Sequence, residues 1–423
     1  RPLALAVATF LIALALIASE RVHRTKVALL GAAIVVLFVG EYNEELAIES
    51  VEFATLGLLA GMMILVYLTS QSGIYDYIAV KAGQISRGNP FALIVMMAAT
   101  VTVLAGFLDN LTTILLIVPI TFLLADTLDI DPIPLILIEV VSANIGGAAT
   151  LIGDPPNIMI GNAAGLNFND FLLNTAPAAI SILGVITVAL YFVFRNRIQV
   201  AEENRRYVME LDARASIRDE AELKRTLPVL LGTIVLFFLH QSLHIEPATV
   251  ALTGAAVCLM VTRVPVEEAL EKIEWTTLFF FIGLFVMVGA LEVTGAIDHV
   301  AETITDVTNG NRNAELVGIV WTASFVGGIV DNIPLTAAMI PVVTQIQEAG
   351  GHSGDTAHWW ALSLGACFGG NLTLISAAAN VAALGLAERA GRPIGFWSFL
   401  KIGLPVTFAS TLLATAYILL RYG

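Results

Sequence analysis

Three aspartates stand in apolar surroundings: Asp109 in Leu108-Asp109-Asn110-Leu111-Thr112-Thr113, Asp154 in Gly153-Asp154-Pro155-Pro156-Asn157, and Asp331 in Val330-Asp331-Asn332-Ile333-Pro334. A carboxylate at bilayer depth is costly unless it is paired, hydrated or protonated. Burial favours the neutral acid, which suits a carboxyl to carrying a proton. Together with carbonyl, amide and hydroxyl oxygens, the ionised form instead ligates a hard cation. Asn110, Thr113, Asn144, Thr150, Asn157, Asn332, Thr373 and Asn380 supply such oxygens. The plainer alternative is that each aspartate caps a half-helix.

The elements that position these residues are membrane spans. Of the 423 residues, 57% are hydrophobic and 13% charged, and several apolar runs reach the roughly 20 residues needed to cross a bilayer. This composition defines a polytopic, all-α integral membrane protein. The net charge of −14 argues against nucleic acid as a partner. Cys258 and Cys367 both lie in apolar segments and form no disulfide framework or metal pattern; Cys367 reads as packing. Neither a P-loop nor a zinc motif occurs. We therefore assign no catalytic residue, no cofactor and no resident metal, and expect no enzyme.

The chain reads as two repeats. Val27-Ala28-Leu29-Leu30-Gly31-Ala32-Ala33 returns as Val250-Ala251-Leu252-Thr253-Gly254-Ala255-Ala256. Asp109-Asn110 with Pro119 returns as Asp331-Asn332 with Pro341, and Gly146-Gly147-Ala148-Ala149-Thr150-Leu151-Ile152 returns as Gly369-Gly370-Asn371-Leu372-Thr373-Leu374-Ile375. Asn157 maps to Asn380. The first repeat spans 1–194: scaffold helices 1–72, an interfacial amphipathic helix 73–88, a hairpin 89–126, a broken helix 133–164 and a span 176–194. A polar linker covers 195–226. The second repeat spans 227–423, with a hairpin at 313–347 and a broken helix at 357–388. Pro155-Pro156 cannot donate two helical hydrogen bonds, so the first broken helix opens at membrane depth, where only protein or a wet cavity can satisfy the freed backbone.

Charge orients the repeats. If the Asp109 and Asp331 regions are re-entrant hairpins, each half crosses five times and the halves are inverted. With the linker 195–226 cytoplasmic, 18 of the 21 Lys and Arg lie inside and only Arg1, Arg312 and Arg421 outside, as the positive-inside rule expects. Both termini then lie outside a plasma (inner) membrane. Reading each hairpin as two spans gives six crossings per half and parallel repeats; the charge pattern of the first half fits that too. Inverted-repeat transporters bind substrate near the midplane between repeats. That assigns proton or cation binding to Asp109, Asn110, Thr113, Asp154, Asn157, Asp331 and Asn332. It assigns substrate lining to Asn144, Gly146, Gly147, Thr150, Gly369, Gly370, Asn371, Thr373 and Asn380. The second break has Ala377-Ala378-Ala379 where the first has Asp154-Pro155-Pro156, so charge binding is expected between Asp154 and Asp109. Glu139 either extends a proton path or faces the opposite mouth, and His240 with His244 reads as interfacial anchoring.

At Asp109-Asn110-Leu111-Thr112-Thr113 and Asp331-Asn332-Ile333-Pro334-Leu335 the chain resembles the ion transporter superfamily, in the branch of arsenite and sodium–proton antiporters. Asn144-Ile145-Gly146-Gly147 with Gly153-Asp154-Pro155-Pro156-Asn157, and Gly365–Asn371 with Ala379-Asn380-Val381, are similar to the melanosomal P protein and its prokaryotic relatives. The resemblance implies a scaffold and a moving transport domain, a homodimer and elevator-like alternating access. Three site aspartates repel a dicarboxylate. Sodium–proton exchange is the leading expectation. Arsenite or antimonite efflux against protons is an alternative, with an ATPase partner possible in that case. An anion channel, or a citrate-type carrier, is a third reading. The expected partners are thus the lipid bilayer and a small inorganic ion or neutral oxyacid.

Overall fold

The computed structural model describes residues 2–19, 21–349 and 354–423; Arg1, placed outside by the charge count, falls beyond them. The described residues form helices and turns without strands. The elements of the first half are α1 (Pro2–Ala18), α2 (Arg24–Phe38), α3 (Glu44–Glu49), α4 (Phe53–Ser70), α5 (Ile74–Ile85), α6 (Pro90–Leu108), α7 (Asn110–Leu128), α8 (Pro132–Gly147), α9 (Pro155–Ala164), α10 (Phe168–Asn174) and α11 (Ala176–Phe194). Then come α12 (Glu202–Glu210), α13 (Glu220–Leu243), α14 (Pro247–Val261), α15 (Val266–Glu271), α16 (Trp275–Val293), α17 (Ala296–Thr308), α18 (Arg312–Val330), α19 (Asn332–Ala349), α20 (Ala357–Gly369), α21 (Ala378–Arg389) and α22 (Phe396–Tyr422). Eight of these helices are long and apolar enough to cross a membrane: α4, α6, α7, α11, α13, α16, α18 and α22.

The linker boundary at 226 falls inside α13. Asp219 caps this helix by accepting from Ala221 and Glu222 N–H, so the helix starts at Glu220 and runs straight into the apolar segment. Buried Glu222 then accepts from the Thr262 hydroxyl and from Arg263 N–H, which ties the end of the linker to the end of α14. The acidic segment 41–52 contains the short helix α3, capped by Asn43.

The halves pack reciprocally. A methyl group on Gly61 of α4 would lie 2.7 Å from the Ala251 carbonyl carbon of α14; one on Gly283 of α16 would lie 2.6 Å from that of Ala28 in α2. These glycines let the helix backbones touch. Each half therefore buries its third span, α4 or α16, against the second span of the other, α14 or α2. Two-fold-related surfaces make such exchanged contacts.

Local geometry repeats as well. Gly73 and Gly295 open α5 and α17 with φ of 79° and 74°. Asp154 and Ala377 precede α9 and α21 with φ/ψ of −148°/137° and −149°/145°. Asp109 and Asp331 turn the chain between α6 and α7 and between α18 and α19 with φ of 90° and 131°. For a non-glycine residue such a backbone costs about 1–3 kcal/mol, and it persists only where the surroundings hold it.

Candidate functional site

The two turns and the two helix breaks meet at the centre. Asp109, Asn110, Asp154 and Asn332 share the wall of a cavity of about 40 Å³ with Arg24, Glu274 and Thr277. At roughly 10–15 Å³ per water, this volume holds a few waters or a monatomic cation. A larger vestibule of about 460 Å³ adjoins it. Arg24, Leu111 and Ala378 border both spaces, while Val22, His23 and Asp331 line the vestibule.

The three aspartates differ in what holds them. Asp109 caps α7: one oxygen accepts from Thr112 N–H at 2.7 Å, the other from the Thr112 hydroxyl at 2.8 Å. Asp331 accepts from Ile333 N–H at 3.0 Å and lies 3.3 Å from the Arg24 guanidinium. The Arg24 side chain also sits over the Phe280 ring, 5.1 Å from its centroid. Asp154 stands at the start of α9 yet makes no cap bond. It is 2% exposed, and its Oδ2 has no hydrogen-bond partner. Capping thus accounts for Asp109, and capping with an ion pair for Asp331. Asp154 is left with neither.

Around the carboxylates lies a buried amide network. Asn144 at the end of α8 donates to Gly370 O (3.1 Å), Asn371 Oδ1 (3.0 Å) and Asn380 Oδ1 (3.0 Å), and accepts from Asn110 Nδ2 at 3.3 Å. Asn157 donates back to Gly147 O (3.1 Å) and Thr150 O (2.8 Å); Asn380 does the same to Gly370 O (2.7 Å) and Thr373 O (2.8 Å). Each asparagine thus takes up carbonyls that its helix break frees. Ser363 donates to Asn157 Oδ1 at 2.6 Å. Thr150 and Thr373 donate to Gly106 O and Gly328 O, fastening each break to its hairpin.

Of the residues singled out in the sequence, Asp109, Asn110, Asp154 and Asn332 reach the cavity, and Asp331 reaches the vestibule. Asn144, Thr150, Asn157, Asn371, Thr373 and Asn380 are buried in the network, off the cavity wall. Gly146 and Gly369 press on Thr102 and Ser324 of the hairpins, and Gly147 and Gly370 sit against Asp154 and Ala377. The Thr113 hydroxyl donates to Asp109 O within its own helix turn. Glu139 is fully buried beside α7, its Oε1 2.5 Å from the Thr121 hydroxyl. His240 is buried and accepts from Phe168 N–H.

Sequence reasoning passed over Arg24 and Glu274. Arg24 had been counted only for orientation. Glu274 belongs to the repeat match Glu274-Trp275-Thr276-Thr277-Leu278 with Glu52-Phe53-Ala54-Thr55-Leu56, and that position beside the core was the available signal.

Many apolar helices around a small polar cavity with buried carboxyls define a multi-pass membrane transporter. A family model described as "Citrate transporter" matches residues 14–365, and the chain belongs to this family within the ion transporter superfamily. It is 42% identical to an uncharacterized transporter of Mycobacterium tuberculosis over 99% of this chain and 98% of that protein. It is 34% identical to the P protein of Homo sapiens over 96% of this chain, which spans 58% of that longer protein. Two solved transporters share the fold. They are YdaH of Alcanivorax borkumensis (TM-score 0.61, 15% identity, 99% of this chain and 97% of that one) and MtrF of Neisseria gonorrhoeae (TM-score 0.63, 13% identity, 100% and 95%).

Proposed function

We propose that this secondary transporter exchanges sodium for protons, with Asp154 as the group that carries proton and cation in turn and Asp109 as its partner. The observation that carries this reading is Asp154 itself: a buried carboxyl with an unpartnered oxygen, no cap bond and no basic partner, among the residues lining an ion-sized cavity. Such a group is stabilised either by a proton or by a cation, and the two compete. Glu274 adds a further carboxylate and Asn110 an amide oxygen, a set of hard ligands suited to sodium. Arg24 holds Asp331, which removes one negative charge from the competition.

With the halves inverted and the linker cytoplasmic, the vestibule beside Arg24 opens to the cytoplasm. The groove lined by Glu49, Glu52 and Glu292 is then the external mouth. Alternating access moves the hairpins and broken helices past the scaffold between these two states.

A second reading follows from the family's description. A carboxylate anion such as citrate would be met in the 460 Å³ vestibule by Arg24 and His23. Proteoliposomes under an imposed pH gradient separate the readings when sodium, lithium, arsenite and citrate are offered in turn. Sodium-evoked proton movement that is lost in Asp154→Asn is the expected result. Flux with arsenite or citrate alone, or chloride current without proton movement, overturns it.

A further inference from the structure

We propose that the linker 195–219 is a strap. It lies along α5 and over both glycines that flank this helix, which makes α5 the stiff pivot of the transport movement and leaves its counterpart, α17, as the arm that bends. The inference rests on the hairpins and breaks moving past the scaffold, whichever ion drives them.

The two helices hold the same place in the two halves. α5 joins α4, which packs on α14, to α6, which packs on α8 beside the first break. α17 joins α16, which packs on α2, to α18, which packs on α20 beside the second. A displacement of hairpins and breaks past α2, α4, α14 and α16 therefore bends the chain at the ends of α5 and α17. Those ends carry glycines in the left-handed region. Gly73 and Gly88 flank α5 with φ of 79° and 68°; Gly295 and Gly310 flank α17 with φ of 74° and 64°. Positions at the ends of elements are where a hinge absorbs backbone change.

The surroundings of the two arms differ. The linker runs antiparallel to α5. At one end, a methyl group on Gly88 would lie 3.0 Å from Arg205 Cα. Further along, Gln84 Nε2 donates to Leu211 O at 2.6 Å. At the other end, a methyl group on Gly73 would collide with Ser216 O, Arg218 N–H donates to Ser72 O at 2.9 Å, and the Arg218 side chain pairs with Asp76. Val208 and Ala213 of the linker are buried. The linker is also fastened beyond α5: Asn204 donates to Leu128 O at 3.2 Å and Arg197 pairs with Asp131, at the ends of α7 and α8. It then enters α13, which packs on α14 and α4. The linker is thus a second connection between the same two bodies, laid against the first. Its ion pairs lie at the surface and contribute little; the backbone hydrogen bonds and the close fit over the glycines do the holding. A change of φ or ψ at Gly73 or Gly88 drives backbone into Ser216 or Arg205, so that hinge opens only if the linker lifts. The glycines of α17 stand open. Among the described residues, nothing lies within 4 Å of a methyl group on Gly310, and one on Gly295 meets only Asp298 Oδ2 of α17 itself, at 3.7 Å.

The test has two parts, both on the full chain in lipid nanodiscs. The first is amide hydrogen exchange and needs no transport. Amides at 73–76 and 86–89 are expected to exchange at least about tenfold more slowly than those at 295–298 and 308–311. Gln84→Ala combined with Arg218→Pro removes the bonds to Leu211 O and Ser72 O. It should speed exchange at both ends of α5 by about tenfold, the size of one or two lost hydrogen bonds, and leave α17 unchanged. Arg218→Lys keeps the N–H and the charge and should behave as wild type. Equal exchange at the two arms in wild type, an α5 that ignores the double variant, or acceleration that spreads equally to α17 overturns the proposal. The second part measures distances between spin labels on introduced cysteines, both native cysteines being buried. Phe91 with Met260, and Asn313 with Leu37, are repeat-related exposed pairs that span the first and second arm. On changing sodium and pH, the Asn313–Leu37 pair should take up a second distance while Phe91–Met260 keeps one; in the double variant Phe91–Met260 should spread as well. Equal changes at both pairs in wild type, or a Phe91–Met260 distance untouched by the double variant, overturns the pivot. If neither pair responds to sodium, protons, arsenite or citrate, the alternating-access reading fails, and hydrogen exchange still decides whether the linker holds α5.

Discussion

The two helix breaks share one backbone design, and only the first carries a carboxyl. Between Gly147 and Asn157, and between Gly370 and Asn380, the backbone angles agree, the asparagines tie down the same carbonyls, and a threonine fastens each break to its hairpin. The sequences differ at six of these eleven positions, and one of the differences places a charge: Asp154 against Ala377. Both breaks border the same cavity, but only the first brings a carboxyl to it: Asp154 stands there with Asp109 and Glu274, whereas Ala377 brings none and the second hairpin's aspartate, Asp331, is paired with Arg24. Holding a helix open at membrane depth demands the duplicated features; on the proposed exchange, carrying charge demands only one copy of the rest.

The comparison breaks most readily at the carboxylates. Asp154→Asn is expected to lower sodium-evoked proton flux about a hundredfold, the equivalent of losing a charged contact of 2–3 kcal/mol. Asp109→Asn should cost less, since its cap bonds survive in part. Asp331→Asn should cost less than about tenfold, and Ala377→Ser almost nothing. An Asp331→Asn variant as inactive as Asp154→Asn would dissolve the asymmetry.

The duplicated features should fail alike. Gly146→Ala and Gly369→Ala place methyl groups 2.7 Å from Thr102 Cα and 2.6 Å from Ser324 O, with backbone that must move. Each is expected to destabilise the protein by about 1–3 kcal/mol, read as a lowered unfolding temperature in detergent. Unequal losses would show that the breaks are not equivalent supports.

The Arg24–Asp331 pair offers a smaller, diagnostic effect. Arg24→Gln strands a buried carboxylate, whereas Arg24→Gln with Asp331→Asn removes both charges, so the double variant should be more stable than the single one. Additive losses would mean that the pair is not coupled. Ser363→Ala removes one of two donors to Asn157 Oδ1 and should cost only about 1 kcal/mol.

Much of this was legible in the sequence because the determinants are local. Pro155-Pro156 cannot stay in a helix interior, Asp109-Asn110 and Asp331-Asn332 interrupt apolar runs, and the repeat aligns the two halves residue by residue. How differently the three aspartates are held was not legible. It depends on which carboxyl receives an N–H from its own helix, and on Arg24, 307 positions away in the chain from Asp331. Glu274 was equally hidden, since its charge reads as the edge of a span until α16 is placed against the turns. The lining assigned to Asn144, Asn371 and Asn380 followed from polarity; in the fold Asn144 and Asn380 donate to the Gly370 carbonyl, and Asn371 Oδ1 accepts from Asn144 at the junction of the halves.

The central claim is that ion binding belongs to the first break. Equilibrium binding of radioactive sodium to purified protein across a pH series tests it most directly. The account predicts that wild-type and Asp331→Asn proteins bind sodium in competition with protons, and that Asp154→Asn does not bind it at any pH. Sodium binding that survives in Asp154→Asn and disappears in Asp331→Asn would contradict it.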